Sequence, residues 1–138
     1  MNRWLKILAQ HIQVDSAEIF QLQADTDTMN VVCEWLAPGM ISYFDKTSGI
    51  PVNSFLHTEK PLVVSTDSVG KADSEEIEKI GMKAVMLFPI LKQESGNMIL
   101  SLNHRRQGHV WSMAEIKFTS DAVKILQSIL TRRIQKNS

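Results

Sequence analysis

Apolar residues recur along this 138-residue chain with two different periods, and the changes of period divide it into elements. Trp4, Leu5, Ile7, Leu8, His11 and Ile12 return every three or four residues, which sets them along one side of a helix of about three turns. From Ala17 the period falls to two: Phe20, Leu22 and Ala24 alternate with Gln21 and Gln23, as a half-buried strand requires. Asp15-Ser16-Ala17-Glu18 also spells a helix-capping box, but the alternation after it predicts a strand. After the turn-forming run Asp25–Thr28, Val31, Cys33 and Trp35 alternate with Asn30, Val32 and Glu34, predicting a hairpin that Pro38-Gly39 closes. Residues 40–60 show neither period, and their Tyr43, Phe44 and Phe55 are more than a spacer needs.

Pro61–Ser65 reads as a short β-branched strand. Asp73, Glu76, Ile77, Ile80 and Gly81 then mark the cap, inner face and stop of a helix of about two turns. Met82–Leu91 is the most apolar run. Its alternate sets, Ala84, Met86, Phe88, Ile90 and Val85, Leu87, both need cover, which predicts a central strand, with a bulge or unpaired edge at Pro89. Lys92–Asn97 turns it into a returning strand, Met98, Leu100 and Leu102 against Ile99, Ser101 and Asn103. Ser112-Met113-Ala114-Glu115 is a capping box, and Ile116, Val123, Leu126, Leu130 and Ile134 follow at helical spacing, broadened by Ile125 and Ile129. The sum is an α+β domain with an antiparallel sheet and flanking helices: one domain over 1–138, with a helix over 1–13, the sheet over 17–105 and a helix over 112–136. The closing stripe is wider than one sheet contact needs, which predicts contact with the first helix or a second copy of the chain.

Composition narrows the function. With 43% hydrophobic and 22% charged residues, the chain buries enough surface for a core without staples. Fifteen basic residues balance fifteen acidic ones, so no net field draws it to nucleic acid or anionic lipid. No run approaches the ~18 uninterrupted apolar residues of a membrane span. One cysteine, Cys33, forms no intrachain disulfide and suits a reducing cytoplasm, where the protein is expected to work. His11, His57, His104 and His109 lack the short spacing of a metal site, and no nucleophile elbow or phosphate loop is present. Hence no catalytic or metal residue is assigned. His104–His109 and Arg132, Arg133 and Lys136 are basic, and read as a solvated loop and a complement to a helix C-terminus.

Several segments together resemble a GAF domain, a sensory module related in architecture to PAS domains, over nearly the whole chain. Glu59–Val64 with Asp67 is similar to the family's short strand and trailing aspartate, and Gly81–Ile90 to its glycine, basic residue, apolar strand and proline. Gly96 with Met98–Leu102, and Trp111, Ser112 and Glu115-Ile116, resemble its next strand and the approach to its last helix. The resemblance implies an antiparallel sheet of about five to six strands with the N- and C-terminal helices on one face. A small-molecule pocket would lie on the other, roofed by 40–60 and 66–82. It further implies a signalling role beside an output domain in the same chain or in trans. Cyclic-nucleotide-binding members carry an Asn-Lys, a later Phe and an Asp-Glu pair; the matching positions here read Asn103-His104, Trp111 and Glu115-Ile116. Cys33 has no neighbouring His, unlike a bilin-attaching cysteine, and one thiol cannot complete the sulfoxide-reducing cycle of the enzymatic branch. No cofactor is therefore assigned.

The expected ligand contacts are Trp35, Phe44, Phe55, Val64, Met82, Met86 and Phe88, an apolar and aromatic lining suited to a planar or hydrophobic molecule. Two other readings stand beside the sensory one. In the first, the chain is a ligand-free structural module that dimerises through its terminal helices. In the second, it is a thiol enzyme using Cys33.

Overall fold

The computed structural model describes residues 1–23, 28–42, 50–51, 60–66, 81–94 and 96–136. Helix α1 (Asn2–Ile12) buries Leu5, Leu8, Ala9 and Ile12, the three- and four-residue spacing of its sequence. It stops at Gln13, whose left-handed backbone (φ 63°) lets its N–H close on the Ala9 carbonyl. Strands β1 (Ser16–Leu22), β2 (Thr28–Leu36), β3 (Ile50–Pro51), β4 (Leu62–Val64), β5 (Ala84–Leu91) and β6 (Met98–His104) follow, and helix α2 (Met113–Lys136) ends the described chain. They form one six-stranded sheet in the order β3-β2-β1-β6-β5-β4, every pair antiparallel. The α+β class, the antiparallel sheet and both terminal helices stand as expected.

Three details differ from the sequence reading. Ile50–Pro51 pairs with Thr28–Met29, adding a two-residue edge strand inside a stretch without a period. The strand predicted as central, β5, lies one in from the edge; β1 and β6 are the middle pair, and three-residue β4 gives β5 its second neighbour. On β2, Ile19 of β1 faces Cys33 but Phe20 faces Val31, so Val32 is an extra, exposed residue. This bulge flips Val31 to the face opposite Cys33 and Trp35, breaking the alternation expected to join all three. The irregularity foreseen at Pro89 is present as a register shift between Pro89 and Leu91. The helix expected around 73–80 lies outside the described residues.

Both helices cover one sheet face. The core there joins Leu5, Leu8 and Ile12 of α1 and Val123 and Leu126 of α2 to Ala17, Ile19, Cys33, Met86, Phe88, Leu100 and Leu102 of the sheet. His11 and Phe118 stack at 3.9 Å where the helices meet. Phe118, Ile125 and Ile129 remain exposed on α2, so the broad stripe is only partly used within the chain. No helix of the described residues is long and apolar enough to cross a membrane.

Candidate functional site

The face turned away from the helices is a second apolar surface with a polar centre. Phe20, Leu22, Met29, Val64, Met82, Val85, Leu87 and Ile99 are buried on it, with Val31 and Leu62 packed against them. The side-chain period of two fixes what stands between them. On β1, Ser16 and Glu18 share the side of Phe20 and Leu22; on β6, Ser101 and Asn103 share that of Ile99. In register, Glu18 faces Glu34 on β2 and Ser101 on β6, while Ser16 faces Asn103. Arg105, just past β6, completes the group. Ser16, Glu18, Ser101, Asn103 and Arg105 are all buried, Glu18 wholly so.

Hydrogen bonds organise this island. Asn103 Nδ2 donates to Glu18 Oε1 (2.6 Å) and Ser16 Oγ (3.1 Å), and Asn103 Oδ1 accepts from Ser101 Oγ (2.6 Å). Arg105 Nη1 donates to the Ile41 carbonyl (2.7 Å), and its Nη2 stands 3.8 Å from Glu18 Oε2. That oxygen accepts no hydrogen bond. Glu34 accepts from Ser42 Oγ at 3.1 Å. Burial, and then the Glu34 charge on the neighbouring strand, push the Glu18 carboxyl up to about 8, although Arg105 and Asn103 pull the other way. A carboxyl in the middle of a six-stranded sheet is costly, since an apolar residue of similar volume is commonly neutral or stabilising in such a place. A few polar groups set in an apolar floor are what fixes the orientation of a bound small molecule.

The structure divides the expected ligand contacts. Val64 and Met82 lie on this floor. Met86 and Phe88 do not: they share the parity of Ala84 and Ile90 and pack with the helices, whereas Val85 and Leu87 are the β5 residues that face the floor. Trp35 packs on the helix side with Cys33. Phe44 and Phe55 lie outside the described residues. Residues 85, 87 and 64 therefore form the shared wall expected of 86, 88 and 64, because the pleat sends odd positions of β5 to this side. The polar centre was not foreseen. Its signal was the charged residue at Glu18, two positions from Phe20 in a strand whose other members on that face are buried.

The floor connects to the start of α2. Trp111 is buried; its indole Nε1–H donates to the Val64 carbonyl (3.1 Å) and its backbone N–H to Ser65 Oγ (3.1 Å). Thr66 donates its N–H to the His109 carbonyl (3.0 Å) and accepts from the His109 N–H at Oγ1 (2.7 Å). Gly108 permits this approach, since a Cβ there would lie 2.6 Å from Thr66 Oγ1. Gly108→Ala is expected to cost about 1–3 kcal/mol through this overpacking, read as a lower midpoint in urea unfolding; an unchanged midpoint would refute the contact. His109 reaches Glu115 at 2.9 Å, and Ser112 and Glu115 cap α2 reciprocally (2.8 and 3.1 Å), as their spacing predicted. Burial raises the Glu115 carboxyl, but the Ser112 N–H and His109 together hold it below its usual range.

His104 and His109 stack at 4.1 Å beside Trp111. Burial, then the neighbouring His109, lowers the His104 imidazole. A cavity of about 330 Å³ opens here against Asp15, Arg106 and Gly108, and a groove of about 580 Å³ runs between β5 and α2 past Lys92, Lys124 and Gln127. Among the described residues no His, Cys, Asp and Glu gather to hold a metal.

An antiparallel sheet with terminal helices on one face and a partly polar floor on the other is the GAF fold. Solved GAF structures share it across the chain. GAF3 of Slr1393 from Synechocystis sp. PCC6803, in its photoproduct state, is 12% identical with a TM-score of 0.72, covering 98% of this chain and 94% of that one. The PixJ GAF domain of Thermosynechococcus elongatus, in its blue-light-absorbing form, is 13% identical (TM-score 0.70; 98% and 86% covered). A domain described as that of a two-component sensor histidine kinase protein of Sinorhizobium meliloti 1021 is 17% identical (TM-score 0.66; 98% and 91%). No family model and no curated protein matches the sequence.

Proposed function

We propose that this chain is a non-catalytic sensory or regulatory GAF domain that binds a small molecule on the sheet face opposite its terminal helices. The observation that carries this reading is the buried polar island around Glu18 in the centre of an otherwise apolar floor. Val64 and Met82 join the floor; Phe44 and Phe55 are the further contacts proposed, on sequence alone. The hydrogen bonds that Trp111 donates to Val64 and Ser65, and His109 to Thr66, supply a route by which occupancy reaches α2 as a population shift. An output domain, in the same chain or in trans, reads that shift in the cytoplasm. The fold neighbours named above come from photoreceptors and a sensor kinase, which supports a signalling role. Cys33 faces the helix core and is buried, which argues against both a thioether-held chromophore on the floor and a thiol enzyme. A metabolite library that includes nucleotides tests the reading: at about a hundred times Kd a true ligand stabilises by about 2.7 kcal/mol, and it should raise Tm by several degrees. A library without any shift beyond error would sink it.

The exposed Phe118, Ile125 and Ile129 favour a second property, homodimerisation through α2 with α1 beside it. Leu126 is unsuited to test this because it is 3% exposed and belongs to the core. Ile125→Glu with Ile129→Glu is expected to convert a sedimenting dimer to a folded monomer; a wild-type chain that already sediments as a monomer counts against it.

A further inference from the structure

Two histidines that the floor does not use stand where the sheet hands over to α2. His104 ends β6 and His109 lies in the connection; their rings stack at 4.1 Å with 24° between planes, and each lies 4.9 Å from the Trp111 indole. The backbone beneath them is fixed. The Lys83 N–H donates to the His104 carbonyl (2.8 Å), and His109 bonds Thr66 through its carbonyl and its N–H (3.0 and 2.7 Å). Glu115 holds the His109 ring at 2.9 Å. The His104 ring has no such anchor: its Nε2 is buried and, among the described residues, meets no hydrogen-bond partner. Beside it opens the cavity of about 330 Å³ lined by both histidines, Asp15 and Arg106.

Protonation of this ring in place meets two obstacles. An imidazolium donates from both nitrogens, so a buried Nε2–H would be left without an acceptor. His109 lies at stacking distance, where a second positive charge is repelled. The charged and titratable groups that face His104 are Asp15 from the turn before β1, Glu115 from α2, and His109 and Arg106 from the connection. Burial, and then His109, hold the imidazole below its usual range although the two carboxylates pull the other way. The adjoining cavity offers an imidazolium water and the Asp15 carboxylate instead.

We propose that His104 and His109 form a proton-driven switch at this junction. Neutral, His104 stays stacked and braces Trp111; protonated, it turns into the cavity and loosens the Trp111 indole from Val64, so that acidification reaches α2 without any ligand on the floor. The open ring titrates near its ordinary 6.5 and the stacked ring lower. Between those two values each pH unit of acidification raises the open population about tenfold. This input is separate from ligand binding, and its failure would leave the sensory reading untouched.

Hydrogen exchange followed by NMR tests the switch on the intact chain. The protection factor of the Trp111 Nε1–H is expected to fall about tenfold per pH unit below 6.5, and the His104 ring resonances to titrate below 6.5. The Leu100 amide at the sheet centre should keep its protection over the same range, because global unfolding takes up a proton at His104 and gives one up at Glu18. His104→Phe keeps a stacking ring without a proton and should make the Trp111 protection independent of pH. The wild-type measurement needs no variant, so it stands even where the substituted chain fails to fold. A His104 midpoint at or above 6.5, Trp111 protection that stays flat through the His104 titration, a parallel loss at Leu100, or a fall that persists in His104→Phe overturns the proposal.

Discussion

Replacing Arg105 by Met is expected to cost about 1–3 kcal/mol, because it leaves the Ile41 carbonyl without its part-buried donor. The Arg105 side chain is 1% exposed, so its guanidinium interacts at low dielectric and close range. It also carries a structural bond, since Nη1 holds the Ile41 carbonyl at 2.7 Å and so fastens the chain leaving β2 to the end of β6. Arg105→Lys should recover little, because a compact ammonium on a flexible stem does not reproduce the directed Nη1 bond to the Ile41 carbonyl. Urea denaturation gives the size of the loss. A double variant with Glu18→Gln should lose less than the two single variants added together, by about 1 kcal/mol. Strict additivity would show that the guanidinium does not act on Glu18.

Stability is expected to fall by about 1.4 kcal/mol for each pH unit above 6.5, roughly 2 kcal/mol by pH 8. Glu18 titrates near 8 in the folded protein and near 4.5 once exposed. Between those values the folded chain holds a proton that the unfolded chain has released, so raising the pH draws the equilibrium toward unfolding until Glu18 ionises in the fold as well. His104 acts in the opposite sense, because burial lowers its imidazole and favours the neutral folded form as pH rises; that contribution is complete above its ordinary value of 6.5. Asp15 and Glu115 are held low and lose their contribution only in acid. The window from 6.5 to 8 therefore isolates Glu18. Glu18→Gln should flatten the profile there and leave the variant more stable than the parent at pH 8. A parent profile already flat over this range would show that Glu18 is ionised in the fold.

Most of the architecture was legible because it rests on local periodicity. The alternation over Phe20 and Leu22 outweighed a capping box at Asp15–Glu18, and the Ser112–Glu115 box marked the start of α2. What escaped was non-local. The bulge at Val32 depends on how β2 fits β1, and the pairing of Ile50–Pro51 depends on an edge offered by Thr28–Met29. The site was half legible. Val64 and Met82 were found as apolar members of a wall, but the choice of Met86 and Phe88 over Val85 and Leu87 needed the face on which the helices pack, and both sets are equally apolar. Glu18, Asn103 and Arg105 come from distant parts of the chain and become a group only through the β1–β6 pairing.

That pairing has a consequence for the order in which the molecule is made. Ser16 lies against Asn103, so the two innermost strands pair residues as much as 87 positions apart in the chain. Until β6 has left the ribosome, β1 and β2 exist as a hairpin with one open edge and β4 and β5 as another, each with apolar residues on both faces. The last strand converts two exposed ribbons into one sheet, and closing so long a loop is slow in comparison with hairpin formation. During synthesis the nascent chain thus carries unpaired edges through most of its length, the condition in which chaperones are recruited and strand-to-strand aggregation begins.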